Sequence, residues 1–254
     1  MEAIADPDER AEALGDVAGA LAAAGQWEEA RAVVEAIADP FRRARALRKV
    51  AGALAAAGQW EEARAVAAAI ADPGKRAEAL GELAQALAEA GQWADARAVA
   101  ETIADPSWRA WALGAVAGAL ARAGDTQAAQ ATFATARAVA ETIADPKERA
   151  GALQAVAGAL AAAGQWEEAR AVAEAIADPF WRAEALRALA EALINVGQID
   201  DAMALLVSAW AQAQTVNELT TLFVVDSSLL RTYPTLGGDL LAAFGWVEQV
   251  VRTA

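Results

Sequence analysis

Ile37-Ala38-Asp39-Pro40 returns unchanged at Ile70 to Pro73, Ile103 to Pro106, Ile143 to Pro146 and Ile176 to Pro179, after an opening copy at Ile4 to Pro7. Six of the seven prolines sit in this motif, and successive ones stand 33, 33, 33, 40 and 33 residues apart. A period of this size marks a tandem array of supersecondary units, each burying its apolar face only by stacking on a neighbour. The units start near residues 6, 39, 72, 105, 145 and 178, so the array is expected over 1–216, with 217–254 outside the pattern.

The third repeat shows the local logic. Asp72 is a good helix N-cap, and Pro73 suits the first helical position, where the missing N–H had no intrahelical partner anyway. Leu80, Leu83, Ala84 and Leu87 then form one apolar stripe, and Gly91 supplies a residue able to end the helix in the left-handed conformation. A second helix is expected from about Trp93, with Trp93, Ala96, Val99, Ala100 and Ile103 buried, until Asp105-Pro106 stops it. Each repeat therefore reads as helix A, a two-residue turn and helix B.

The same parts recur as Gly25-Gln26-Trp27, Gly58-Gln59-Trp60 and Gly164-Gln165-Trp166, with Gly197-Gln198-Ile199 in the last repeat. The turn Trp reads as an anchor between neighbouring pairs, with ligand stacking as the other option. Glycines within helix A (Gly15, Gly19, Gly52, Gly81, Gly114, Gly118, Gly158) cost about 0.5–1 kcal/mol each against alanine, so each needs a compensation. Close helix contact is the first reading and a ligand backbone lying in the groove the second. Glu28, Glu29 and Arg31, Glu61, Glu62 and Arg64, and Glu167, Glu168 and Arg170 place acids in the first turn of helix B with an expected i,i+3 ion pair. Arg10, Arg43, Arg76, Arg109, Arg149 and Arg182, four residues after each capping Asp, read as a ladder of inter-repeat ion pairs.

Composition narrows the function classes. Twenty-one basic against thirty-five acidic residues give a net charge of −14, which disfavours nucleic acid or an anionic membrane surface as partner. There is no Cys and no His, which removes disulfides, thiolate metal sites, the commonest general base and the Ser-His and Cys-His nucleophile pairs. No metal or cofactor is expected. The N-terminus lacks a signal-peptide pattern and no long uncharged apolar stretch reads as a membrane span, so a cytoplasmic location is expected. No unrepeated carboxylate constellation stands out, and an enzyme is the least favoured reading.

Gly91-Gln92-Trp93 followed by Ala96, with Leu80, Leu83, Ala84 and Leu87 upstream, resembles a tetratricopeptide repeat. The fourth repeat fits best, with Ala129, Phe133 and Ala136 lying 5, 9 and 12 residues after Gly124. The period differs from the family's roughly 34 residues, and so does the Asp-Pro boundary. The resemblance implies an all-α fold, a right-handed α-α superhelix of about six helix-turn-helix units whose A helices line a concave groove for peptides or partner segments. Arrays of this alanine-rich kind are also similar to the sensor regions of bacterial signalling NTPases of the NACHT and related classes. Seven extra residues in the second helix of repeat four are almost two turns, so its apolar face should stay in phase with a drift of about 20°.

Positions that differ between near-identical repeats are candidates for a partner surface. On helix A they are Arg45, Arg48 and Lys49 in repeat two, Glu78, Glu82, Gln85 and Glu89 in repeat three, Trp111 and Arg122 in repeat four, and Glu184, Arg187 and Glu191 in repeat six. Read as a free basic patch beside an acidic one, they fit a protein or peptide of the reverse charge order, and reversing Arg45, Arg48 and Lys49 should spare folding. The expected function is a non-enzymatic protein-interaction scaffold. The alternatives are a ligand-sensing region of a larger signalling ATPase and a regularised array without a partner. Residues 217–254, with Leu240, Leu241, Phe244, Val247 and Val251, read as a C-terminal helical cap, whereas the first repeat shows no comparable cap, so the chain is expected either to be cut from a longer protein or to self-associate through that repeat.

Overall fold

The structure, a computed structural model, describes residues 6–213 and Thr221; the expected cap at 217–254 lies outside the described residues apart from Thr221. Among the described residues every regular element is an α-helix, and the twelve helices form six pairs. The A helices are α1 (Pro7–Ala23), α3 (Pro40–Ala56), α5 (Pro73–Glu89), α7 (Pro106–Arg122), α9 (Pro146–Ala162) and α11 (Pro179–Asn195). The B helices are α2 (Trp27–Glu35), α4 (Trp60–Ala68), α6 (Trp93–Thr102), α8 (Thr126–Glu141), α10 (Trp166–Glu174) and α12 (Ile199–Gln212).

The boundary motif and the turn glycine set both ends of every A helix. The Asp39, Asp72, Asp105 and Asp178 carboxylates accept the N–H groups of Arg42, Lys75, Trp108 and Trp181 at 2.8, 2.8, 2.9 and 3.1 Å. Such a cap is worth about 1 kcal/mol. At the other end Gly25, Gly58, Gly91, Gly124, Gly164 and Gly197 take φ values of 74–88°. The Gln92 N–H donates to the Leu87 carbonyl at 2.8 Å and the Gly91 N–H to Ala88 at 3.1 Å, the paired bonds of a Schellman ending. Three residues, not two, therefore separate helix A from helix B. Because a side chain at positive φ crowds the backbone, Gly91→Ala should cost about 1–2 kcal/mol in urea unfolding.

The chain forms two compact bodies, Met1–Ile143 and Ala144–Ala254. In the first, α1, α3, α5 and α7 pack side by side, and α2, α4 and α6 each contact their own A helix and the next one. In the second, α9 packs on α10 and α11, and α11 on α10 and α12. The motif isoleucines Ile37, Ile70, Ile103 and Ile176 are at most 2% exposed, each closing the end of a B helix.

Helix α8 has 16 residues against nine for α2, and Ala129, Phe133, Ala136 and Ala140 are all at most 4% exposed. The insertion lengthens the helix without rotating its buried stripe, as the near-heptad length requires. Its first turn has its own cap, since the Asp125 carboxylate accepts the Ala128 N–H at 3.0 Å, whereas Gln26, Gln59, Gln92 and Gln165 make no side-chain cap bond.

Three local expectations need correction. Trp93 is exposed, while Ala96, Val99, Ala100 and Ile103 carry the buried stripe of α6. Two rungs of the arginine ladder bond to backbone: Arg43 donates to the Ile37 carbonyl at 2.8 Å and Arg76 to Ile70 at 2.9 Å. These two guanidinium groups cover carbonyls left over beyond the ends of α2 and α4, where the dipole favours a cation. Four of the five arginines within the B helices pair forward, Arg31 with Glu35 at 3.0 Å and Arg97, Arg137 and Arg170 with Glu101, Glu141 and Glu174 at 2.8 Å, whereas Arg64 has Ala68 at that position. A glutamate in the last turn opposes the dipole, and the arginine one turn earlier offsets it. The hydrogen bond and attraction of Glu174 raise the Arg170 guanidinium above its ordinary value, with a smaller pull from Glu167.

Candidate functional site: the A-helix face

Because the A helices of the first body lie side by side in register, residues at the same repeat position become lateral neighbours there. Arg45 follows its capping Asp by six residues, as Glu12 does, and Lys49 follows by ten, as Asp16 does. Lys49 bonds Asp16 at 2.5 Å, Arg42 bonds Asp8 at 2.5 Å, and Arg45 approaches Glu12 at 3.8 Å. On the other side of α3, Arg48 bridges Glu78 at 2.9 Å and Glu82 at 2.8 Å, and Lys75 closes on Glu78 at 2.9 Å. The basic residues of repeat two are therefore met by acids from both neighbours, Arg45 and Lys49 by repeat one and Arg48 by repeat three, and α3 is clamped between α1 and α5.

The remaining candidates have internal partners or local roles. Gln85 donates to Glu89 at 2.9 Å. Trp111 meets Trp108 edge-on with ring centroids 5.5 Å apart, and its ring lies on Gly81, where an added Cβ would come within 3.0 Å of Cζ3. Arg122 is exposed in the last turn of α7, a favourable place for a cation. In the second body Arg187 bridges Glu184 at 2.8 Å and also bonds Glu191, all three half-buried on α11. The Glu184 hydrogen bond, with attraction from both acids, outweighs desolvation and raises the Arg187 guanidinium above its ordinary value.

Each of these partly exposed ion pairs is worth about 0.2–1 kcal/mol, but reversing a charge sets it against the carboxylates it once held. Arg48→Glu, beside Glu78 and Glu82, should therefore lower stability by about 1–2 kcal/mol, with part restored by Glu82→Arg and the loss shrinking at high salt. Thermal melting of the two variants at low and high salt measures it. For Arg48 this replaces the expectation that charge reversal spares folding.

What the array leaves open is a groove. Between α3 and α5 lies a cavity of about 440 Å³ with Ala51, Ala55, Ala79, Leu83 and Ala86 in its lining. Trp60 also lines it, half-buried, and Arg48, Glu82 and Glu89 supply its charged groups. Gly52 borders the same groove, and a Cβ built there would meet nothing within 4 Å. Gly19 and Gly158, at the same repeat position, are equally open, in contrast to Gly81 under Trp111. Close helix packing thus explains Gly81 and does not explain Gly52. The groove is lined largely by alanine and glycine, so no distinctive residue type marked it in the sequence; its one signal was an uncompensated helical glycine.

Among the described residues, no group of three or more acidic side chains is placed to hold a metal ion, and no helix is long and apolar enough to cross a membrane. No known protein family's sequence pattern matches the chain, and no curated protein matches it. Among solved structures it is similar to the crystal structure of Ton1535 from Thermococcus onnurineus NA1, at 16% identity over 88% of this chain and 93% of that one, with a TM-score of 0.28. That likeness is too loose to bear on function. The described chain is an all-helical tandem array of helix pairs, of the α-solenoid class.

Proposed function

We propose that the protein is a non-enzymatic scaffold that binds a peptide or a segment of a partner protein on its A-helix face, as tetratricopeptide-like arrays do, with the α3–α5 groove as the principal seat. The observation that carries this reading is Gly52. It sacrifices about 1 kcal/mol of helix propensity at a position where no neighbouring atom needs the space. A partner backbone or side chain entering the groove would use that space. Trp60 offers an aromatic wall, the alanines an apolar floor, and Glu82 and Glu89 outnumber Arg48 among the lining charges. The reading therefore specifies a ligand with a small aliphatic side chain flanked by Lys or Arg. A net charge of −14 also favours a basic ligand and works against nucleic acid or an anionic membrane.

The test is selection of peptides from a displayed random library on the intact chain, with the Gly52→Leu variant as counter-selection. Leucine is a better helix former than glycine and would project into open groove, so the variant should melt at or slightly above the parent temperature. Peptides enriched on the intact chain and lost on the variant support the proposal. Failure to enrich, or equal retention by both proteins, would refute it.

A further inference from the structure

The first repeat presents a second surface, none of whose residues lines the α3–α5 groove. Residues eleven and fifteen after the capping Asp on helix A, and twenty-seven after it on helix B, form the face that each repeat turns toward the one before it. At the first of these, Val50, Leu83 and Val116 are at most 3% exposed, and at the second, Leu54, Leu87 and Leu120 at most 5%. On the B helices Val66 and Val99 are 1% and 2% exposed. In every case the A helix rests on both helices of the preceding repeat: α3 on α1 and α2, α5 on α3 and α4, α7 on α5 and α6. The second body repeats the arrangement, with Leu189 at 2% and α11 on α9 and α10. In repeat one the same face is uncovered: Val17 is 50% exposed, and Leu21 and Val33 are only half-buried.

The sequence beside this face names its occupant. Glu2-Ala3-Ile4-Ala5-Asp6-Pro7 matches, letter for letter, Glu35 to Pro40 and Glu174 to Pro179. At those two places the segment carries the last residue of a B helix, Glu35 of α2 or Glu174 of α10, and then a buried isoleucine, before the next A helix begins. The residues entering α1 are thus those that elsewhere join one repeat to the next.

We infer that the Val17, Leu21 and Val33 face is an interaction surface for one further helix pair of the chain's own repeat type, stacked on α1 and α2 as these stack on α3. The inference stands independently of the groove. An interface of this kind, aliphatic residues meeting an alanine-rich helix face, closes through tight helix approach and adds a nearest-neighbour term to the stability of the array.

The chain has no cysteine, so Val17→Cys introduces a unique thiol at an exposed position. Its rate of reaction with a thiol reagent is measured in the full chain and in the full chain with a second copy of residues 37–69 inserted directly before Ile4. The inference predicts labelling slowed by about tenfold or more in the extended chain, together with a higher melting temperature. It further predicts that Val17→Asp lowers the melting temperature of the extended chain and leaves the parent chain nearly unchanged. Equal labelling rates in the two chains would overturn it. Labelling of the parent chain that slows as protein concentration rises would also overturn it, because the occupant would then be a second copy of the chain.

Discussion

Replacing Phe133 with alanine should destabilise the body that contains it by about 3–5 kcal/mol, the cost of removing a buried aromatic ring and leaving its cavity. Phe133 is 4% exposed and shares the buried stripe of α8 with Ala129 and Ala136. Urea unfolding followed by circular dichroism measures the loss. Phe180→Ala, at a ring 42% exposed, is the control and should cost no more than about 1 kcal/mol. If the two variants unfold alike, the phase assigned to the long helix is wrong, because a rotation of about 100° would bring Phe133 to the surface.

Gly81→Leu should be nearly as damaging, through overpacking instead of a void. The added Cβ alone would stand 3.0 and 3.2 Å from Trp111 Cζ3 and Cε3 and 3.5 Å from Trp108, and the two indoles hold each other edge-on. Leucine improves helix propensity, so a loss of about 1–3 kcal/mol or more can be attributed to the clash. Trp111→Ala introduced with it should recover much of that loss, a non-additivity visible in a double-mutant cycle. The contrast with Gly52→Leu, expected to be neutral or stabilising, is the sharper comparison, since both glycines lie within A helices. A stable Gly81→Leu protein would show that the Trp111 ring can leave its place on α5 without cost.

The features legible in the sequence were those set by chemistry between close neighbours in the chain. Asp72-Pro73 and Gly91 set the ends of α5 through bonds spanning a few residues, and the same signals placed all six A helices. The phase of α8 could be read because a near-heptad insertion preserves a helical face whatever surrounds it. The charged residues were visible, but their partners were not. Arg45 and Lys49 looked like a free basic patch because the acids they meet, Glu12 and Asp16, lie a full repeat away. The rule that uncovers them is simple in retrospect: in a stacked array, opposite charges at one repeat position in consecutive repeats become lateral partners. The carbonyl acceptors of Arg43 and Arg76 escaped the reading because a backbone acceptor has no residue-type signature. Trp93 was assigned to the core from its hydrophobicity, yet the turn places it at the open start of α6, where Ala96 and Val99 already complete the stripe.

The proposal as a whole separates two surfaces that look alike in the sequence: a charged stripe that joins repeats and a small-residue groove that receives a partner. Affinity of a selected peptide for three proteins, the parent chain, Gly52→Leu and Arg45→Glu, tests that separation most directly. Arg45 is exposed and only loosely paired at 3.8 Å, so its reversal should leave the fold intact. Binding weakened about tenfold or more by Gly52→Leu and changed only a few-fold by Arg45→Glu is the expected result. Binding lost with Arg45→Glu and retained by Gly52→Leu would contradict it, returning the interface to the charged stripe.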